Sequence, residues 1–117
     1  MQKNAELERI PESFFEHIHG LKILDLSYTR ILNLPNSISN LENLVALVLR
    51  NCDKLRYVCS LAKLKALRKL DLFNTAIKEV PYGIEMLTNL TYLSLYSKDL
   101  KELPIGILPV FSHLQHT

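Results

Sequence analysis

The sequence predicts an α/β solenoid in which stacked repeats form a curved parallel sheet on one side and short helices or turns on the other. Three observations support this. Leucines return every 23 residues at Leu21, Leu44, Leu67 and Leu90. Two further series keep the same step, Leu24, Leu47, Leu70, Leu93 and Leu26, Leu49, Leu72, Leu95. Two apolar columns outside the strands also keep it: Ile18, Leu41, Leu64, Leu87, Val110 and Phe15, Ile38, Leu61, Ile84, Ile107. A unit this short cannot bury its apolar face alone, so neighbouring units must stack and share one continuous core.

This period and the Leu-x-x-Leu-x-Leu pattern define a leucine-rich-repeat solenoid of about four to five repeats. Residues 67–89 illustrate the unit. Leu70 and Leu72 are two apart and face the core, while Lys69, Asp71 and Phe73 face the open side. Thr75 leaves the strand at a position whose side chain can satisfy backbone groups, and Thr29 and Cys52 occupy the same slot. Ile77 and Val80 then turn inward, and Pro81, which has no N–H, ends the extended stretch. Gly83, with Gly106, Ser37 and Ser13 at equivalent places, is expected to cap a short helical turn whose buried side carries Ile84 and Leu87.

The remaining units are read in the same way. One leucine-rich-repeat domain, 1–117, comprises a partial repeat 4–20, repeats 21–43, 44–66, 67–89 and 90–113, and a partial repeat 114–117. In 4–20, Leu7, Ile10, Pro11 and Phe15 match Ile31, Leu34, Pro35 and Ile38 apart from one insertion. Repeat 44–66 carries one extra residue before Leu55 and one fewer between Val58 and Leu61, with Cys59 where proline is expected; the changes cancel, and Cys59 reads as a small buried apolar residue. Repeat 90–113 is one residue longer and puts Lys98 in the Thr/Cys slot, where an unpaired ammonium is costly to bury. Both ends fall mid-repeat, which gives the expectation of a piece of a longer array or a truncated product.

Composition excludes several function classes. The net charge is only +2 and the densest basic cluster, Lys63, Lys65, Arg68 and Lys69, reads as a solvated face, so no nucleic-acid partner is expected. No apolar run is long enough for a membrane span, and the N-terminus lacks a signal-peptide core. Cys52 and Cys59 fit free thiols in a reducing, cytoplasmic setting, and the glycosylation triplet Asn89-Leu90-Thr91 reads as a chance match.

No enzyme, metal or cofactor is expected. His17 with His19 and His113 with His116 fall short of the three or four convergent ligands a metal requires. None of Gly20, Gly83 and Gly106 opens a phosphate loop, and no G-x-S-x-G elbow is present. Asp25 and Asp71 recur two repeats apart on the open face, about 10 Å from each other, and read as solvated strand positions.

What remains is the open strand face. Its columns are Ile23, Ala46, Lys69, Tyr92; Asp25, Val48, Asp71, Ser94; Ser27, Arg50, Phe73, Tyr96; and Tyr28, Asn51, Asn74, Ser97. Aromatic residues and arginine concentrate binding energy at interfaces, and solenoids bind through the concave face. The candidate protein-binding residues are therefore Tyr28, Arg50, Lys69, Phe73, Tyr92 and Tyr96.

Three segments carry a family resemblance: Leu-Lys-Ile-Leu-Asp-Leu-Ser-Tyr-Thr-Arg-Ile-Leu-Asn-Leu-Pro-Asn-Ser-Ile (21–38), Leu-Arg-Asn-Cys-Asp-Lys-Leu (49–55) and Leu-Arg-Lys-Leu-Asp-Leu-Phe-Asn-Thr-Ala-Ile-Lys-Glu-Val-Pro (67–81). They resemble the repeats of plant nucleotide-binding leucine-rich-repeat disease resistance proteins, notably the coiled-coil class. The resemblance covers nearly the whole chain. It implies a cytoplasmic immune receptor whose repeats sense pathogen effectors or guarded host proteins and restrain the parent receptor's nucleotide-binding domain. No coiled coil or nucleotide-binding domain lies within these residues, so ATP binding would belong to a longer parent. Repeats of this length also suit a signalling scaffold binding a small GTPase or phosphatase, or the recognition arm of a bacterial ubiquitin ligase. Flanking sequence discriminates among the three.

Overall fold

A computed structural model describes residues 9–16, 18–100 and 115–116. Five parallel strands lie side by side in sequence order: β1 (Ile23–Asp25), β2 (Ala46–Val48), β3 (Lys69–Thr75), β4 (Tyr92–Ser97) and β5 (Gln115–His116). Register follows the repeat, with Leu24 beside Leu47, Leu47 beside Leu70 and Leu70 beside Leu93. The crossovers that join β1 to β2, β2 to β3 and β3 to β4 return on the opposite side through a short 3-10 turn or an irregular bend. The inward leucines fill one continuous core, in which Leu47, Leu49, Leu70 and Leu72 are fully buried beside Ile38, Leu41, Leu61, Leu64 and Leu87.

The turns differ from the expected capped helices. Glu12–Phe15 and Asn36–Asn40 are 3-10 segments that start after Pro11 and Pro35, not at Ser13 or Ser37. Proline fixes the extended entry, with φ of −60° and −67°, and its missing N–H costs nothing at a helix start. Gly83 does precede Ile84–Met86, without a side-chain cap, at φ +89°. Its value there is steric: a Cβ on Gly83 would stand 2.6 Å from the Ala62 nitrogen. Gly106, Ile107, Val110, Leu7, His17, His113 and Leu114 lie outside the described residues.

Strand ends are closed by the slot that follows the sheet. The Thr29 and Thr75 hydroxyls donate to the Leu26 and Leu72 carbonyls, and the Cys52 thiol donates to the Leu26 carbonyl at 3.0 Å. Ser97, not Lys98, takes this slot in the fourth repeat. The register shifts between Phe73 and Thr75, so Ser97 pairs with Thr75 and is buried, while Lys98 is exposed. In β3 the extra residue is Asn74, which adopts φ +60°; β4 runs extended without that step and reaches the slot one residue sooner. The cost of burying a lysine is thereby avoided.

Three residues at this level adopt left-handed backbone, Tyr28, Asn51 and Asn74, with φ of +65°, +62° and +60°. Asparagine tolerates that region, and the Asn74 amide donates to the Asn51 side-chain oxygen at 2.7 Å. Tyrosine lacks this local compensation. Tyr28→Asn is expected to stabilise the fold by about 1 kcal/mol in urea unfolding; a loss of stability would show that the tyrosine ring contributes more than its backbone costs.

Cys52 and Cys59 are both buried and neither is in a disulfide. Burial pushes the Cys52 thiol above its ordinary value of 9.0, against the smaller opposing effect of hydrogen bonding with Thr29. The thiolate is thus disfavoured in the folded state. This contribution to stability is complete below the ordinary thiol value and is lost as pH rises through the folded value. Alkylation of Cys52 at pH 8 should track global unfolding. Rapid modification of the native protein at the rate of a free thiol would contradict the burial.

Two asparagines tie successive repeats together where a strand begins. Asn43 donates to the His19 carbonyl and Asn89 to the Lys65 carbonyl, both at 2.9 Å. Thr91 likewise donates to the Arg68 carbonyl at 3.2 Å. Both polar members of the Asn89-Leu90-Thr91 triplet therefore hold the preceding repeat, which gives them a structural use.

Candidate functional site: the concave strand face

The outward residues of the strands form rows across the sheet, because equal register brings equivalent positions of neighbouring repeats to the spacing of adjacent strands. One row ends as a ladder. The Arg50 guanidinium lies 4.4 Å over the Phe73 ring, and the Phe73 and Tyr96 rings are 5.5 Å apart at an interplanar angle of 32°. A second contact runs parallel to it, with the Lys69 ammonium 5.2 Å from the Tyr92 ring centre. Five of the six candidate residues thus fall into two adjoining cation and aromatic groups spanning β2 to β4 and the residues beside them.

Tyr28 is the exception. Its N–H donates to the Arg50 carbonyl at 3.0 Å, but its positive φ turns the chain out of the strand and leaves the ring half exposed beyond the end of the row. Its N–H extends the ladder's backbone framework, while the Arg50, Phe73 and Tyr96 side chains make the stacked surface.

Asp71 organises the ladder, and its role is not the one its spacing suggested. Its side chain is 5% exposed, not solvated; one oxygen accepts the Phe73 N–H at 3.1 Å and the other meets Arg50 at 3.2 Å. Asp25 repeats half of this arrangement by accepting the Ser27 N–H at 3.0 Å. In both places the carboxylate accepts the backbone N–H two residues on, and Asp71 also fixes the arginine. The recurrence of Asp at this column was the available signal. Its proximity to arginine depended on sheet pairing.

Arg50 itself remains 41% exposed along its side chain, and Tyr96 is 50% exposed. Phe73 and Tyr92 are half-buried, while Lys69 is exposed. A rigid sheet therefore offers partly desolvated rings and two cations at fixed positions, a composition suited to interface hot spots. The basic cluster Lys63, Lys65, Arg68 and Lys69 is exposed throughout, with only Lys69 joined to this face through a ring contact.

Depressions also lie elsewhere among the described residues. One of about 320 Å³ adjoins β1 and is lined mainly by apolar side chains including Ile10, Phe14, Phe15 and Ile23. Another of about 470 Å³ lies between the returning segments and is lined by Arg56, Tyr57, Lys78 and Tyr82 among others. Among the described residues, no group of three or more His, Cys, Asp or Glu side chains is placed to hold a metal ion. No helix among them is long and apolar enough to cross a membrane.

The parallel sheet, the 23-residue register and the short returning turns define a leucine-rich-repeat protein, and residues 2–53 match the family described as leucine rich repeat. A leucine-rich-repeat protein of Leptospira interrogans shares the fold, with a TM-score of 0.59 over 96% of this chain and 34% of that one at 22% identity. The repeats are similar to those of plant disease resistance proteins. A probable disease resistance protein of Arabidopsis thaliana is 48% identical over 64 residues, covering 55% of this chain and 7% of the relative. A second disease resistance protein of the same plant is 37% identical over 117 residues, covering 98% of this chain and 12% of the relative. The chain therefore spans about a tenth of the length of these relatives.

Proposed function

We propose that this chain is the protein-recognition part of an intracellular plant immune receptor of the nucleotide-binding, coiled-coil class, and that it works by binding without catalysis. Its concave face senses a pathogen effector or a guarded host protein and, in the resting state, restrains the parent receptor's nucleotide-binding domain. One observation carries this reading: Arg50, Phe73 and Tyr96 form a continuous, partly exposed ladder across neighbouring strands, held from beneath by Asp71. A surface held in one arrangement before contact loses little conformational entropy when a partner arrives. The relatives named as disease resistance proteins supply the biological setting.

The test uses the full-length parent receptor in plant cells. Combined Phe73→Ala and Tyr96→Ala replacement is expected to abolish the response to the cognate effector or to release signalling in its absence. Each ring removes enough contact area to cost about 2 kcal/mol at a hot spot, which is roughly thirtyfold in affinity. Unchanged effector response together with unchanged resting restraint, at normal protein abundance, would falsify the concave-face assignment.

A further inference from the structure

Resting on that reading of the concave face, we propose that the segment it receives is acidic: an extended stretch of a protein partner carrying carboxylates beside an apolar or aromatic side chain. Among the three outward columns that begin at Ile23, Asp25 and Ser27 and run across the four repeats, the Asp, Glu, Lys and Arg side chains are Asp25, Arg50, Lys69 and Asp71. Their formal charges cancel, but their accessibility does not. Asp71 is buried, with its oxygens occupied by the Phe73 N–H and Arg50. Asp25 is half-buried and turned to the Ser27 N–H. Arg50 and Lys69 retain exposed N–H donors.

An approaching partner consequently meets cationic donors and aromatic rings, while the acidic acceptors are already committed within the sheet. The edge of the face adds to this asymmetry. Lys22 and Arg68 stand exposed directly before β1 and β3, while Val45 and Thr91 occupy the corresponding places before β2 and β4. That row holds two cations and no carboxylate.

Geometry sets the spacing of the partner's charges. Lys69 and Phe73 are four residues apart on β3, about 13 Å along the strand, and Arg50 stacks on Phe73 from just beyond the end of β2. An extended segment lying along the strands covers this distance with about four residues. Carboxylates at its two ends meet Lys69 and Arg50, and apolar side chains between them rest on Phe73, Tyr92 and Tyr96. Arg50 is the more specific contact, because Asp71 and Phe73 hold its planar guanidinium in place before the partner arrives.

Fluorescence anisotropy with the full chain tests this proposal. The probe is a fluorescein-labelled peptide of about twelve residues carrying aspartates four apart with leucine and phenylalanine between them. The comparison peptide has asparagine at each aspartate. The acidic peptide should bind about tenfold more tightly at low ionic strength, with the difference disappearing near 1 M salt. Lys69→Glu, at an exposed position, should remove the preference for the acidic peptide and favour a lysine-substituted one. Arg50→Lys, which keeps a cation beside Asp71, should lower acidic-peptide affinity several-fold, and Phe73→Ala should weaken all three peptides.

Equal binding of the acidic and asparagine peptides, with Phe73→Ala weakening both, would overturn the acidic preference and leave the concave-face reading standing. Binding unaffected by Lys69→Glu, Arg50→Lys and Phe73→Ala would overturn both. Failure of the acidic peptide to bind the folded chain would also overturn the proposal.

Discussion

Leu70→Ala is expected to destabilise the folded chain by about 2–5 kcal/mol, measured as the shift in a urea unfolding curve. Leu70 has no exposed surface and sits in the inward row between Leu47 and Leu93, so one substitution opens a cavity at both junctions of β3. Stability in a solenoid is a sum over repeats and their nearest-neighbour interfaces, which makes a central position more sensitive than a peripheral one. Leu24, at 7% exposure and paired with β2 in the β1 position, should tolerate alanine better. A loss below about 1 kcal/mol for Leu70→Ala would mean that the core collapses around the cavity or is not packed as described.

Gly83→Ala is expected to be comparably severe, despite adding a single methyl group. The new Cβ would lie 2.6 to 2.8 Å from the nitrogen, Cβ and Cα of Ala62, and φ +89° is a conformation that residues with side chains rarely adopt. Backbone strain alone accounts for about 1–3 kcal/mol, and the clash with neighbouring backbone adds to it. Gly20→Ala is the matched control, since a Cβ there meets nothing within 4 Å. It should change stability by less than about 0.5 kcal/mol. If both variants unfold at the same urea concentration as the parent, the close approach of the turn at Gly83 to Ala62 is wrong.

The legibility of this fold in the sequence follows from its periodicity. Leu24, Leu47, Leu70 and Leu93 repeat without insertion, so their inward direction and mutual pairing follow from counting. The same count failed after Phe73, where Ser97 rather than Lys98 pairs with Thr75. A strand can include or omit one left-handed residue as it leaves the sheet, and the number of residues between the repeated leucines does not reveal which. Serine capping was misplaced for a related reason: a turn of three to five residues is shaped by the proline before it and the packing beneath it.

The candidate surface was only partly legible. Arg50, Phe73 and Tyr96 share a column by arithmetic, yet their stacking depends on distances across the sheet. Asp71 was recognisable as a polar strand residue but not as the buried partner of Arg50, which is 21 positions away in sequence. Tyr28 sits in the next sequence column, but its left-handed backbone carries the ring beyond the ladder.

By itself, the sequence determined the repeat length, the parallel pairing and the division between packed leucines and open columns, because periodic hydrophobic burial has one economical solution when identical units stack. Tertiary structure decided which open residues touch and which charges remain accessible. Those properties arise between strands, where Asp71 is withdrawn beneath Arg50 and the arginine is held against Phe73. Local pattern specifies a side chain's face; only its neighbours set its exposure and electrostatic role.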